Sequence, residues 1–195
     1  MAFPYDKHRL SFPGLEGLYG WVTVDGQPLE VYGTRIEGSR AIGYIEAQDD
    51  KEFKVHFHDE HSAEREDGEY ATRLYVDGAY ATGHFALKSL GAADYLGKRV
   101  SPTTRRPFMF GSLHLTDDDD LACTDEQVVK NLGTIQLGYH RLAHYRELES
   151  SYKSSEPTTA VVHEQAKKAT LSHQAQFVSF PPLSPVLSLS LSPVS

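Results

Sequence analysis

Apolar and polar positions alternate with a period of two through much of the first 142 residues. The pattern is strictest in Glu52–Asp59 (EFKVHFHD). There Phe53, Val55 and Phe57 fall on one face of an extended chain and Lys54, His56 and His58 on the other, because successive side chains of a strand point to opposite sides. The same spacing predicts strands over Leu18–Val24, Leu29–Tyr32, Arg40–Ala47, Tyr70–Val76, Tyr80–Leu87 and Thr134–Leu142. Asp25-Gly26 and Asp77-Gly78 sit where hairpin turns need positive φ. The run Ser101–Asp120 (SPTTRRPFMFGSLHLTDDDD) opens as a polar loop. It continues as Phe108-Met109-Phe110, alternates through Leu113-His114-Leu115-Thr116 and ends in four aspartates. Those features predict a central strand of a sandwich, with residues 60–69 and Gly91–Thr104 as loops.

Short strands, turn signals about every ten residues and little helix define an all-β chain. Its expected architecture is an antiparallel β-sandwich of the jelly-roll or Ig-like class, with a short C-terminal helix and a disordered tail. A parallel α/β sheet would need helical crossovers that the first 150 residues do not offer. Residues 1–14 read as an N-terminal arm and 15–146 as the β-sandwich domain. Residues 147–177 read as a linker. Within it, Ala160–Ala169 forms a short amphipathic helix and Gln174–Phe180 a peripheral strand. Thr124–Lys130 forms one or two further helical turns, ended by Gly133. Residues 178–195 are Ser/Leu/Pro sequence without a charged residue, and their four prolines argue against regular pairing. The alternating Ser188–Ser192 segment retains the capacity to pair with an open sheet edge.

Composition narrows the function classes. Hydrophobic content is 39% and the formal net charge is −8 over 195 residues, which fits one modest core plus extensions. The basic pairs Lys98-Arg99, Arg105-Arg106 and Lys167-Lys168 are isolated in the sequence. No concentrated positive stretch is available for phosphate backbones or anionic lipid, so neither nucleic acid nor membrane is an expected partner. The single cysteine, Cys123, has no intrachain partner. The chain opens without a signal-like apolar stretch and nowhere approaches about 18 uninterrupted apolar residues. Together these lead to an expected intracellular location, in cytoplasm or nucleus.

Candidate chemistry is sparse. His56 and His58, two apart on one strand, share a face, which is how cupin-type sites present metal ligands; Glu64 is the carboxylate at hand to complete a set. The spacing of Glu64 and the missing Pro-x-Gly-x-x-His element depart from that pattern, and an exposed strand face is the plainer reading. Asp117–Asp120 lacks the spacing of a calcium loop. No G-x-S-x-G elbow, Walker loop or G-x-G-x-x-G run occurs. Trp21 reads as a core anchor. Arg105 and Arg106 could grip an anionic group, and tyrosines such as Tyr75 and Tyr80 could line a contact surface. No catalytic residue and no cofactor is expected.

The segments WVTVDGQPLEVYG (Trp21–Gly33), KEFKVHF (Lys51–Phe57), YVDGAYATG (Tyr75–Gly83), PTTRRPFMFGSLHLTDDD (Pro102–Asp119) and LGTIQLGYHR (Leu132–Arg141) follow in this order. In that order the chain resembles the domain of unknown function DUF7918, found in many basidiomycete fungal proteins. The resemblance covers about Leu15–Arg146, continues weakly through Val162–Phe177, and implies an all-β sandwich. It carries no established activity and so transfers no site residue. The uncharged tail departs from the Gly-rich or acidic continuation usual in such relatives. The expectation is a non-enzymatic protein- or peptide-binding module. The alternative is a metal-binding, cupin-like protein or small metal-dependent enzyme using His56 and His58.

Overall fold

The computed structural model describes residues 7–64, 69–86, 91–101, 104–111, 115–116, 125–142, 162–163 and 186–192. Its strands are β1 (Leu10–Ser11), β2 (Leu18–Val24), β3 (Gln27–Pro28), β4 (Tyr32–Glu37), β5 (Arg40–Glu46), β6 (Glu52–Asp59), β7 (Glu69–Val76) and β8 (Ala79–Ala86). They continue with β9 (Ala92–Tyr95), β10 (Lys98–Arg99), β11 (Arg105–Arg106), β12 (Phe108–Met109), β13 (Leu115–Thr116), β14 (Thr134–Leu142), β15 (Val162–His163) and β16 (Val186–Ser192). One short helix, α1 (Glu126–Asn131), precedes β14.

The strands form two main sheets. The first runs β1-β2-β6-β12, with β3 beside β2 and β9 beside β6. The second runs β4-β5-β16-β14-β7-β8. Apart from the parallel β5–β16 pair, neighbours within these two sheets are antiparallel. Both Asp-Gly turns adopt the predicted geometry: φ is 50° and 78° at Asp25 and Gly26, and 51° and 76° at Asp77 and Gly78. Paired positive φ values match the right-handed twist of the strands they join. The second turn is tied to the start of β14, since Gly133 N–H donates to the Asp77 carboxylate at 2.7 Å and Asp77 N–H to the Thr134 carbonyl at 2.8 Å.

The core lies between the sheets. Phe53, Val55 and Phe57 of β6 are buried on one face, as their alternation requires. Phe57 stacks on Tyr139 of the opposite sheet with ring centroids 5.5 Å apart, Phe12 meets both rings edge-on, and Tyr70 stacks on Tyr139 at 5.1 Å. A buried hydroxyl bond from Tyr95 of β9 to Thr72 Oγ1 of β7 adds a polar tie between the sheets. Buried polar groups are tolerated where they are paired in this way.

Several expectations are revised. Phe108–Met109 is a two-residue edge strand on β6, not a central strand. Its apolar character is explained by Phe108 and Phe110 stacking on Phe53 at 5.4 and 4.4 Å. Leu115–Thr116 pairs instead with Val162–His163, in parallel. Those two residues are extended, so the helix expected over Ala160–Ala169 does not pass through them. Residues 1–14 are not wholly an arm: β1 pairs with β2, and Leu10 and Phe12 are buried in the core. Gly91–Thr104, expected as a loop, contains β9 and β10. The tail expected to be disordered supplies β16, because Pro181, Pro182, Pro185 and Pro193 all flank that strand instead of interrupting it. Gln174–Phe180, Asp117–Asp120 and Cys123 lie outside the described residues.

Candidate functional site

The outer face of the first sheet carries one line of side chains across β2, β6 and β9, continued by Arg9 just before β1. Trp21 of β2 lies directly opposite His56 of β6, which lies opposite Asp94 of β9. Trp21 and His56 stack at 5.0 Å with rings 13° apart, and the Arg9 guanidinium sits 5.0 Å from the Trp21 ring centroid. Because β1 and β6 flank β2 on opposite sides, Arg9 and His56 approach Trp21 from opposite directions. Trp21 is therefore a half-buried clamp on the outer face, not the core anchor its sequence context predicts. Both of its faces are engaged, which leaves little of it for a ligand.

His56 is fixed at both nitrogens. Nδ1 lies 2.7 Å from Asp94 Oδ1, and Nε2 lies 2.9 Å from Thr23 Oγ1. A carboxylate only accepts, so Nδ1 carries the proton of the Asp94 bond, and the Thr23 hydroxyl, which can donate or accept, pairs with Nε2. A hydroxyl, an imidazole and a carboxylate in series are the components of a nucleophilic relay. Thr23, however, lies within a strand flanked by Lys54 on one side and Pro28 on the other. Its surroundings are a hydrogen-bonded ladder, whereas an oxyanion hole needs backbone N–H groups that are not already committed. The relay serves to orient His56.

His56 and His58 do share the outer face of β6, as their spacing predicts. Glu64 instead faces His61, at 3.4 Å. Among the described residues no group of three or more His, Cys, Asp or Glu side chains is placed to hold a metal ion.

The remaining site residues converge elsewhere. Two basic pairs that are separate in the sequence form one antiparallel ribbon, with Lys98 opposite Arg106 and Arg99 opposite Arg105. Val100 and Ser101 N–H groups donate to the Thr104 carbonyl at 3.0 and 3.3 Å, and Thr104 N–H donates to Ser101 Oγ at 3.0 Å. These bonds close the ribbon's end. Its base is pinned where Gly97 abuts the Arg106 carbonyl so closely that a Cβ there would collide with it. The ribbon packs against β8, the outermost strand of the second sheet.

β8 reads AYATGHFA, with no Lys, Arg, Asp, Glu or Pro. Tyr80 is 48% exposed and Phe85 56% exposed. Tyr75 meets Tyr80 edge-on at 5.6 Å, and the Tyr80 hydroxyl would lie 3.0 Å from a Cβ at Gly83. The Tyr80 ring thus lies back along its own strand over a glycine floor. Burial, and then the charges of Arg105 and Arg99, hold the His84 pKa below that of an ordinary imidazole, with Asp94 opposing. His84 is accordingly neutral at neutral pH beneath the ribbon. Arg105 lies close enough to His84 of β8 to lower its pKa, and Tyr75 and Tyr80 meet beside the turn that joins β7 to β8. Lys98 and Arg99 join Arg105 and Arg106 in the ribbon, and the only sequence signal for that is a second basic pair five residues before the first. Tyr70 and Tyr95 belong to the core.

The described residues form a two-sheet β-sandwich, antiparallel apart from the β5–β16 pair. Residues 21–188 match the family described as Domain of unknown function (DUF7918), and the chain belongs to that family. No curated protein and no solved structure matches it. No helix among the described residues is long and apolar enough to cross a membrane.

Proposed function

We propose that this domain is a non-enzymatic peptide-binding module that takes an extended, acidic segment of a partner protein along the outer edge of β8. The observation that carries this reading is the four-cation ribbon beside an uncharged outermost strand, on a chain of net charge −8. Like charges directly opposite one another weaken a ribbon, so two such pairs in succession are best accounted for by an anionic partner. An outermost strand offers a row of backbone donors and acceptors to an added strand. At the other end of the sheet, β4 differs: it is irregular between Tyr32 and Arg35 and carries an Arg35–Glu37 ion pair at 2.7 Å. Such features blunt an edge. β8 shares the irregularity, with its register against β7 shifting at Leu74 and Tyr75, but it carries no charged residue, and Tyr80 and Phe85 offer contact area.

The test is fluorescence anisotropy of a labelled peptide alternating Glu with Val or Thr, against its Lys-for-Glu counterpart. The acidic peptide binds, its affinity falls steeply between low and physiological salt, and Arg105→Glu with Arg106→Glu abolishes it. Equal binding of both peptides, or no binding of either, overturns the reading.

A further inference from the structure

A second strand-binding position lies inside the second sheet. β5 and β14 do not pair with each other; β16 runs between them. It pairs in parallel with β5 over seven positions, Val186↔Arg40 to Ser192↔Glu46, and antiparallel with β14 over five, from Thr134↔Ser190 to Gly138↔Val186. Every ladder connection between β4–β5 and β14–β7–β8 passes through this one segment. Without it, β5 and β14 would face each other across a lane one strand wide, about 9–10 Å, each with a row of unpaired backbone groups.

The lane has a chemical preference set by register. Positions 187, 189 and 191 lie level with Ala41, Gly43 and Ile45 of β5, and 187 and 189 also with Leu137 and Ile135 of β14. Those neighbours are buried, and Ala41, Ile45, Ile135 and Leu137 belong to the core cluster. Positions 188 and 190 lie level with the buried polar residues Gln136 and Thr134 of β14, and with Ile42 and Tyr44 of β5. The neighbours level with positions 187–191 are therefore all uncharged: aliphatic or glycine at 187, 189 and 191, and one polar and one apolar or aromatic at 188 and 190. A shift of one residue would set the Leu positions beside Gln136 and Thr134 of β14.

We infer that the lane between β5 and β14 is a binding site for an extended, uncharged peptide alternating aliphatic with small hydroxyl residues. Val186–Ser192 occupies it in cis, and a peptide of the same pattern enters it in trans. Two observations make the occupant exchangeable. Forty-three residues separate Leu142 from Val186, so no tight turn holds the register. One of its two ladders is parallel, the slightly weaker arrangement per residue. This site is independent of the β8 edge: it takes an uncharged strand, and its binding is insensitive to the basic ribbon.

The experiment uses the full chain and a labelled peptide with the sequence of residues 184–194. Leu189→Pro removes a donor from the middle of β16 and weakens the resident strand. The variant binds the peptide at least tenfold more tightly than the parent. Asp at the three Leu positions of the peptide abolishes binding to both chains, and Arg105→Glu changes neither. Equal or absent binding to folded parent and folded variant overturns the inference. If Leu189→Pro does not fold, hydrogen exchange on the parent chain decides. Excess peptide raises exchange within Val186–Ser192 while Arg40–Glu46 and Thr134–Gly138 stay protected; unchanged protection of Val186–Ser192 overturns it.

Discussion

Replacing Arg105 with glutamate should make the protein more stable while removing its proposed function. Arg105 faces Arg99 directly across the ribbon, where Cβ atoms of opposed residues are about 5 Å apart. In a water-like dielectric, two unit charges at about 5–6 Å interact by roughly 0.7 kcal/mol. Arg105→Glu changes that contribution from repulsive to attractive, a swing of roughly 1.4 kcal/mol, and physiological salt screens away about half of it. The expected gain is about 0.5–1 kcal/mol, which for a chain of this length raises Tm by about 1–4 °C. Urea denaturation with the double variant Arg99→Glu, Arg105→Glu completes a cycle. The double variant restores a like-charge pair and loses the gain. A second readout is local: Arg105 is one of the charges that lower the His84 pKa, so Arg105→Glu moves the His84 titration upward by NMR. Stability that falls, or a gain of equal size in 1 M salt, would refute the ribbon geometry. Unchanged affinity for the acidic peptide would refute its role.

Three further outcomes test the rest of the architecture. Phe57→Ala removes a ring packed against Phe12 and Tyr139 and should cost about 3–5 kcal/mol in urea denaturation; a loss below about 1 kcal/mol would mean that the sheets do not face each other there. His84 and His140 both have pKa values lowered by burial, with Arg105 and Arg99 adding at His84 and Arg73 at His140. The unfolded chain therefore takes up protons first as pH falls below about 6.5. Their contribution is complete above that value and is lost as pH drops towards the folded pKa values, so His84→Gln should flatten the acid limb of a stability–pH curve; an unaltered limb counts against a buried neutral His84. Thr23→Val deletes the hydroxyl that hydrogen-bonds to His56 Nε2 and should cost about 0.5–1.5 kcal/mol, whereas a stabilised variant would show that the His56 orientation does not depend on it.

The parts of the fold that were legible share one property: a side-chain period that burial then enforces. Glu52–Asp59 and Thr134–Leu142 match their predicted limits, since alternate residues of each face the core. Period carries less information where it is interrupted. β9 was missed because only Ala93 and Tyr95 mark its inner face inside a glycine-bounded stretch. The Phe108–Phe110 run was overread because aromatic residues that stack on Phe53 look like the middle of a strand. β16 was set aside because prolines surround it, although Leu187–Ser192 alternates cleanly. The candidate site was legible only as fragments. Arg105 and Arg106 gave no hint of Lys98 and Arg99 opposite them, because cross-strand register depends on a turn whose geometry the sequence does not specify.

The contrast between the two outer surfaces argues for where recognition takes place. On the first sheet, the line from Arg9 through Trp21 and His56 to Asp94 is closed on itself: each ring has a stacking or hydrogen-bonding neighbour. A ligand would have to displace those contacts before making its own. At β8 and its ribbon, cations of one sign are held together against their mutual repulsion, next to a strand whose outer edge lacks the usual protective charges. Under the proposal, an acidic partner there would offset like-charge repulsion within the ribbon and add strand pairing. On that asymmetry rests the proposal of a contact surface at the end of the second sheet, with His56 held by Asp94, Thr23 and Trp21 on the first.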